Sequence, residues 1–185
     1  MRIGIILSIA FLMSCGENKT SETTTEESSN KDPNIEVGAS DNLQEEADFL
    51  ISSHMNSQLQ IALGEVAERQ ALSPEVKEFS KTIIAENAQI RNNIEELASA
   101  AEIDLAPALT PEYLALIDSI QSYEGAKFDS AFVNIVIEEH EDDIERLNEL
   151  ARKTDNPIIR QEVTENVDLL QTQLTEAEEI QSSLE

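Results

Sequence analysis

An all-α four-helix bundle with a short extra helix in one long connection is the fold class this sequence predicts, and three observations carry that prediction. Apolar residues recur at steps of three and four over long stretches, the spacing that stacks side chains on one face of an α-helix. No stretch alternates apolar and polar residues as a half-buried strand would, and glycine is scarce, with 5 in 185 residues. Cap signals built around proline punctuate the pattern: Ser73-Pro74-Glu75, Thr110-Pro111-Glu112 and Asp155-Asn156-Pro157. Each combines a side chain able to accept from free helix N–H groups with a proline suited to the first turn.

The chain begins with one arginine followed by an apolar run from Ile3 to Met13, too short to span a bilayer as a permanent helix. Met1 to Ser14 is therefore expected to be a removable signal peptide. It ends in Leu12-Met13-Ser14-Cys15, which resembles the lipobox of bacterial lipoproteins, in which the cysteine becomes the lipidated first residue of the mature chain. Cys15 is the only cysteine, so an internal disulfide is excluded. The other reading is an ordinary secretory signal with Cys15 incidental. From Gly16 to about Asp41 the residues are Glu, Ser, Thr, Asn and Lys with few large apolar side chains, a composition that cannot offset the entropy of ordering. Residues 15–41 are expected to form a lipidated, disordered acidic tether that holds the domain roughly 25 to 30 Å from the membrane.

Residues 42–185 then make one domain by length. About Leu43 to Ala71 predicts a first long helix with Ile51, Met55, Leu59, Ala62, Leu63 and Val66 on its apolar face; His54 falls off that stripe and is expected at the surface. The second helix starts at the Ser73 cap and stacks Val76, Phe79, Ile83, Asn87, Ile90, Ile94, Leu97 and Ala101, with Asn87 its polar intruder. A short helix runs from the Thr110 cap to about Ser122, and Gly125 ends it. Lys127 to Lys153 stacks Phe128, Phe132, Val136, His140, Ile144, Leu147 and Ala151, so His140 faces inward; Glu138, Glu141, Asp142, Glu145 and Glu149 face solvent. The last helix follows Pro157 with Ile159, Val163, Val167, Leu170, Gln173, Leu174 and Ala177 inward.

Only a few residues join the first long helix to the second and the third to the fourth, so each pair is an antiparallel hairpin. About 25 residues separate the hairpins, enough to travel back along the roughly 40 Å of a 27-residue helix. That is the single-crossover order of ferritin-like bundles. Simple up-down-up-down order, with the short helix capping one end, stays open at this point.

Gln60, Asn87, His140 and Gln173 each lie near the middle of a different long helix, on or beside its inward face. Ferritin-like di-metal proteins build their site at this level from two Glu and two Glu-x-x-His motifs, because carboxylate oxygens and imidazole nitrogens neutralise and hold paired cations. No Glu-x-x-His exists here: Ile137 stands three before His140, and Ile51 three before His54. Amides carry donor and acceptor on one group, so a Gln/Asn/His cluster satisfies itself without a cation. The four are read as a structural polar cluster, with no catalytic residue, metal or cofactor. The rival reading is a ferritin-like metal-binding protein or oxidase with His140 and nearby carboxylates as ligands.

Ile61-Ala62-Leu63-Gly64-Glu65-Val66-Ala67, Ser73-Pro74-Glu75-Val76-Lys77-Glu78-Phe79 and Lys127-Phe128-Asp129 leading to His140 resemble the bacterial family known as domain of unknown function 4142. The likeness covers Ala47 to about Gln181 and implies a ferritin-like fold and a place at the outer membrane. Members commonly carry Glu where this chain has Gln60, an Asp-His pair where it has Glu86-Asn87, and a late His where it has Gln173. Of the ligand set that the resemblance would supply, His140 is retained.

The formal net charge of −26 leaves no basic face for phosphates, which excludes nucleic acid as a partner. The same charge repels anionic lipid, so the expected partner membrane is held through the lipid anchor, and any protein or envelope partner is unspecified. No Ser/His/Asp set, Gly-rich phosphate loop or paired-cysteine motif offers another route to catalysis. The expectation is a non-catalytic, lipid-anchored cell-envelope protein whose bundle binds or scaffolds.

Overall fold

The computed structural model describes residues 33–105 and 108–184, with the backbone alone for 33–42. Five helices follow one another: α1 (Pro33–Gln70), α2 (Pro74–Ala100), α3 (Pro111–Gln121), α4 (Ala126–Lys153) and α5 (Pro157–Leu184). Cys15, the signal peptide expected over 1–14 and the tether residues 16–32 lie outside the described residues.

Three caps are built as their residue types dictate. Ser73 Oγ accepts from the N–H groups of Glu75 and Val76, and Thr110 Oγ1 from that of Tyr113. Asn156 Oδ1 accepts from Ile158 and Ile159 ahead of α5. Gly125 precedes α4 at φ 59°, a left-handed conformation that a residue without Cβ adopts freely. The start of α1 departs from the expectation. The helix begins at Pro33 rather than near Leu43, so the tether expected to reach residue 41 overlaps its first turns. Proline suits a helix start because the N–H it lacks has no intrahelical partner there. Apolar periodicity could not mark these turns, since Gly38, Ala39, Ser40 and Asp41 carry no stripe.

Hydrogen bonds between helices fix their directions. Asn56 meets Asp143, Ser52 meets Arg146 and Glu45 meets Lys153, so α4 descends as α1 ascends. Asn93 meets Glu162, Glu86 meets Gln173 and Glu75 meets Ser183, which makes α2 and α5 antiparallel as well. The hairpins α1–α2 and α4–α5 have the most extensive contacts, and α2 and α4 therefore run the same way. A connection from the end of one to the start of the other must cross the whole length of the bundle. It does so along the flank: Tyr113 of α3 bonds Asn56 near the middle of α1, and the Gln121 carbonyl accepts from Gln70 at its end. Simple up-down-up-down order with the short helix as an end cap is thus excluded, and the bundle has the single crossover of ferritin-like folds.

The apolar interior falls into two clusters. One gathers Leu59, Leu63, Phe79, Ile83, Ile117, Ile120, Phe128, Phe132 and Val136, with Phe132 edge-on to Phe79 and stacked on Phe128. The other gathers Phe49, Leu50, Ile90, Ile94, Leu147, Ile159, Val163 and Leu170. Within the first hairpin, Gly64 allows close approach: a Cβ there would lie 2.8 Å from Ile84 Cγ1 and 3.1 Å from the Ser80 carbonyl oxygen. The inward face of α1 differs from its predicted stripe. Ile51 and Met55 are only half-buried, whereas Phe49, Leu50, Ser53, His54 and Ser57 are buried. Serines small enough to let α2 and α4 approach occupy the inward line, so an apolar pattern pointed a fraction of a turn away from it.

Candidate functional site

Between the two clusters the bundle interior turns polar. Gln60 from α1, Asn87 from α2, His140 from α4 and Gln173 from α5 are 4%, 3%, 1% and 1% exposed, and Ser53, Ser57 and Asn166 are buried beside them. Three of them interrupt an apolar stripe at the same height: Asn87 between Ile83 and Ile90, His140 between Val136 and Leu147, Gln173 between Leu170 and Ala177. Since the neighbouring helices are antiparallel, mid-helix positions coincide.

His140 Nε2 lies 2.6 Å from Gln173 Oε1, and Gln173 Nε2 donates to Glu86 Oε2 at 2.6 Å. This chain fixes the tautomer by elimination. The Gln173 amide turns its NH₂ toward Glu86 and its oxygen toward His140, whose Nε2 must then carry the proton. Burial pushes the His140 pKa below the ordinary histidine value; the Gln173 bond and the charge of Asp143 oppose that without reversing it. The imidazole is thus neutral at neutral pH and committed as a donor. Asn87 Nδ2 instead donates to the Ile83 carbonyl of its own helix at 3.0 Å. Gln60 Oε1 is buried and makes no hydrogen bond.

Gln60, Asn87 and His140 share a small cavity of about 20 Å³ with Ser53, Ser57, Ile90, Leu147, Asn166 and Leu170; Asn56, Asp143 and Arg146 complete its lining. The carboxylate of Asp143 is already occupied: Asn56 Nδ2 bridges both its oxygens at 2.8 Å, and Arg146 Nη2 lies 2.9 Å from Oδ1. Tyr113 of α3 donates to Asn56 Oδ1 at 2.6 Å, so the crossover helix buttresses this outer edge. Asn166 could have been found from sequence, since it interrupts the stripe of Val163, Val167 and Leu170. Tyr113 and Asp143 carry no such signal, because their roles depend on which flank α3 takes.

His54, expected at the surface, is instead 7% exposed, with Nε2 3.3 Å from Glu95 Oε1 and Nδ1 3.1 Å from the Gln58 amide. It faces the α1–α2 seam rather than the central cavity. Asp129, read from the sequence only as part of the Lys127-Phe128-Asp129 motif, is 1% exposed and accepts from the N–H groups of Leu72 and Ser73 at 2.9 and 2.8 Å. It clamps the α1–α2 turn onto the first turn of α4.

The donor set was tested against the paired cations of ferritin-like proteins and does not fit them. Three of the four central side chains are neutral amides, the nearby carboxylates Asp143 and Glu86 are engaged, and among the described residues no three His, Cys, Asp or Glu side chains gather as a metal site. What the arrangement does chemically is join α4 to α5 through His140 and Gln173, and α5 to α2 through Gln173 and Glu86.

The family model for a domain of unknown function, DUF4142, matches residues 33–180. Among solved structures, a DUF305 fragment from Deinococcus radiodurans superposes with a TM-score of 0.68 at 10% identity, covering 75% of this chain and 96% of its own. A DUF305 protein from Streptomyces coelicolor gives 0.66 at 9% identity, covering 76% and 92%. At these identities the likeness is one of fold. No curated protein matches the sequence.

Proposed function

The chain belongs to the DUF4142 family, and from that premise we propose that it is a non-catalytic lipoprotein of the cell envelope, anchored at the outer membrane through Cys15 and presenting a helical bundle that binds or scaffolds. The observation that carries this reading is Leu12-Met13-Ser14-Cys15 at the end of the apolar run from Ile3, with the chain's only cysteine at the position a lipobox requires. Lipid suits the rest of the chain. Among the described residues no helix is long and apolar enough to cross a membrane, and a net charge of −26 is repelled by anionic headgroups. The proposed anchor is the acyl group on Cys15.

The non-catalytic half of the proposal is supported by the polar layer. Its one histidine is 1% exposed and donates through Nε2 to Gln173, which removes it from bulk solvent and commits that nitrogen to the layer. Binding or scaffolding is what an acidic outer face and a hydrogen-bonded interior leave available. Detergent phase partition tests the anchor: the wild-type protein should enter the detergent phase and Cys15→Ala the aqueous phase. Equal detergent-phase recovery of both would remove the basis for the proposal.

A further inference from the structure

The cavity in the polar layer is left incomplete by the protein itself. Gln60 is 96% buried, lines this space, and its Oε1 has no hydrogen-bond partner. An amide oxygen taken out of water is stabilised only when another donor replaces the solvent it loses. None of the surrounding residues bonds it: His140 Nε2 donates to Gln173, Asn87 Nδ2 gives one of its two hydrogens to the Ile83 carbonyl, and Ser57 Oγ donates to the His54 carbonyl.

We propose that this cavity is a hydration site, holding one ordered water that donates to Gln60 Oε1 and joins α1 to the polar layer of the other three helices. Size selects the ligand. The cavity measures about 20 Å³, above the roughly 10 to 15 Å³ that one water needs and too small for an organic molecule. Chemistry selects it further. Beside Ile90, Leu147 and Leu170 the walls carry amides, hydroxyls and an imidazole from all four long helices, Gln60, Asn87, His140 and Asn166 among them, which offer donors and acceptors in mixture. Water matches such a mixture because it does both, whereas a cation requires acceptors alone. The one carboxylate at the edge, Asp143, already serves Asn56 and Arg146, and the guanidinium of Arg146 stands on the same side.

The site explains why a glutamine with an orphaned oxygen sits opposite a closed His140–Gln173–Glu86 chain. The chain from His140 through Gln173 to Glu86 ties α4 to α5 and α5 to α2, and Asn56 of α1 reaches Asp143 of α4 at the outer edge, but Gln60 Oε1 has no direct link to the other helices. A water bonded to Gln60 supplies that fourth link.

Magnetic relaxation dispersion of ²H and ¹⁷O on the full chain counts waters held longer than the tumbling time. The wild-type protein should show one more such water than Gln60→Met, which keeps the side-chain volume and removes the acceptor, while both retain the same helical circular dichroism. An equal count in the two folded proteins would overturn the assignment. If Gln60→Met does not fold, the wild-type chain supplies its own readout: cross-relaxation between a long-lived water and the Gln60 side-chain NH₂ supports the site, and its absence overturns it. Exchange of sodium and potassium chloride for choline chloride should leave the long-lived water unchanged; its loss would assign the cavity to a cation instead.

Discussion

The two apolar clusters and the polar layer between them solve the same problem, joining four helices, by opposite means. The cluster around Phe79, Phe128 and Phe132 is non-directional: its side chains are stabilised by leaving water, and any shape-complementary apolar set would do. The layer around His140 is directional. Its imidazole, amide and carboxylate stand in one order, and sliding one helix by a turn would strand each of them. The difference teaches a division of labour. The clusters gather apolar side chains from all four long helices, and the layer's hydrogen bonds set the relative height of α2, α4 and α5.

Breaking a cluster should therefore cost the most. Phe132→Ala removes a fully buried ring that contacts both Phe79 and Phe128, and denaturant unfolding should show a loss of about 3–5 kcal/mol. A loss under about 1 kcal/mol would mean that the cluster is loosely packed.

The next effect is smaller and sits where polarity enters the apolar end. Asp129→Asn keeps the shape but takes the charge from a carboxylate that accepts from Leu72 and Ser73. Stability should fall by about 1.5–3 kcal/mol, the range for hydrogen bonds to charged groups. An unchanged unfolding midpoint would show that the α1–α2 turn holds itself.

Much of this organisation was legible in the sequence, for physical reasons that also explain what was not. The stripes of α2, α4 and α5 are clean because each of these helices turns large apolar residues inward, so Asn87, His140 and Gln173 stand out as intrusions. The caps at Ser73 and Thr110 are local chemistry and read directly. The inward line of α1 was misread because Ser53 and Ser57 occupy it, and burial of a serine leaves no periodic mark. His54 was misplaced for the same reason. The early turns of α1 carry no stripe either, and the roles of Tyr113 and Asp129 arise from contacts between elements distant in sequence. Loop lengths fixed the two hairpins, yet it takes contacts between hairpins, such as Asn56–Asp143 and Glu86–Gln173, to distinguish the crossover order.

The smallest expected effect sharpens the contrast through pH. Burial lowers the His140 pKa below its ordinary 6.5, so the unfolded chain takes up a proton that the folded one resists. The stability owed to neutral His140 is fully present above that ordinary value and is lost as pH falls toward the lowered one. Glu139, Glu162 and Glu176, raised mainly by burial, act in the opposite sense: their contribution is present below the ordinary carboxylate value and is lost as pH rises through their raised values. Measured against His140→Gln, which shares the carboxylates, the wild-type thermal midpoint should lose ground between pH 7.5 and pH 5. A difference constant across that window would mean that the imidazole titrates as it does in solvent.

The central claim is that the polar layer is a hydrogen-bonded register device and holds no metal, and the unfolding midpoints of wild type, His140→Gln and His140→Leu with and without chelator test it most directly. Gln keeps a group able to bond Gln173 and should cost about 1–2 kcal/mol, whereas Leu strands the Gln173 oxygen and should cost a further ~1–3 kcal/mol. Chelator should shift none of the three. A midpoint that drops with chelator in the wild type alone, with Gln and Leu equally destabilised, is the signature of a cation bound only to the native state, and it would contradict the account.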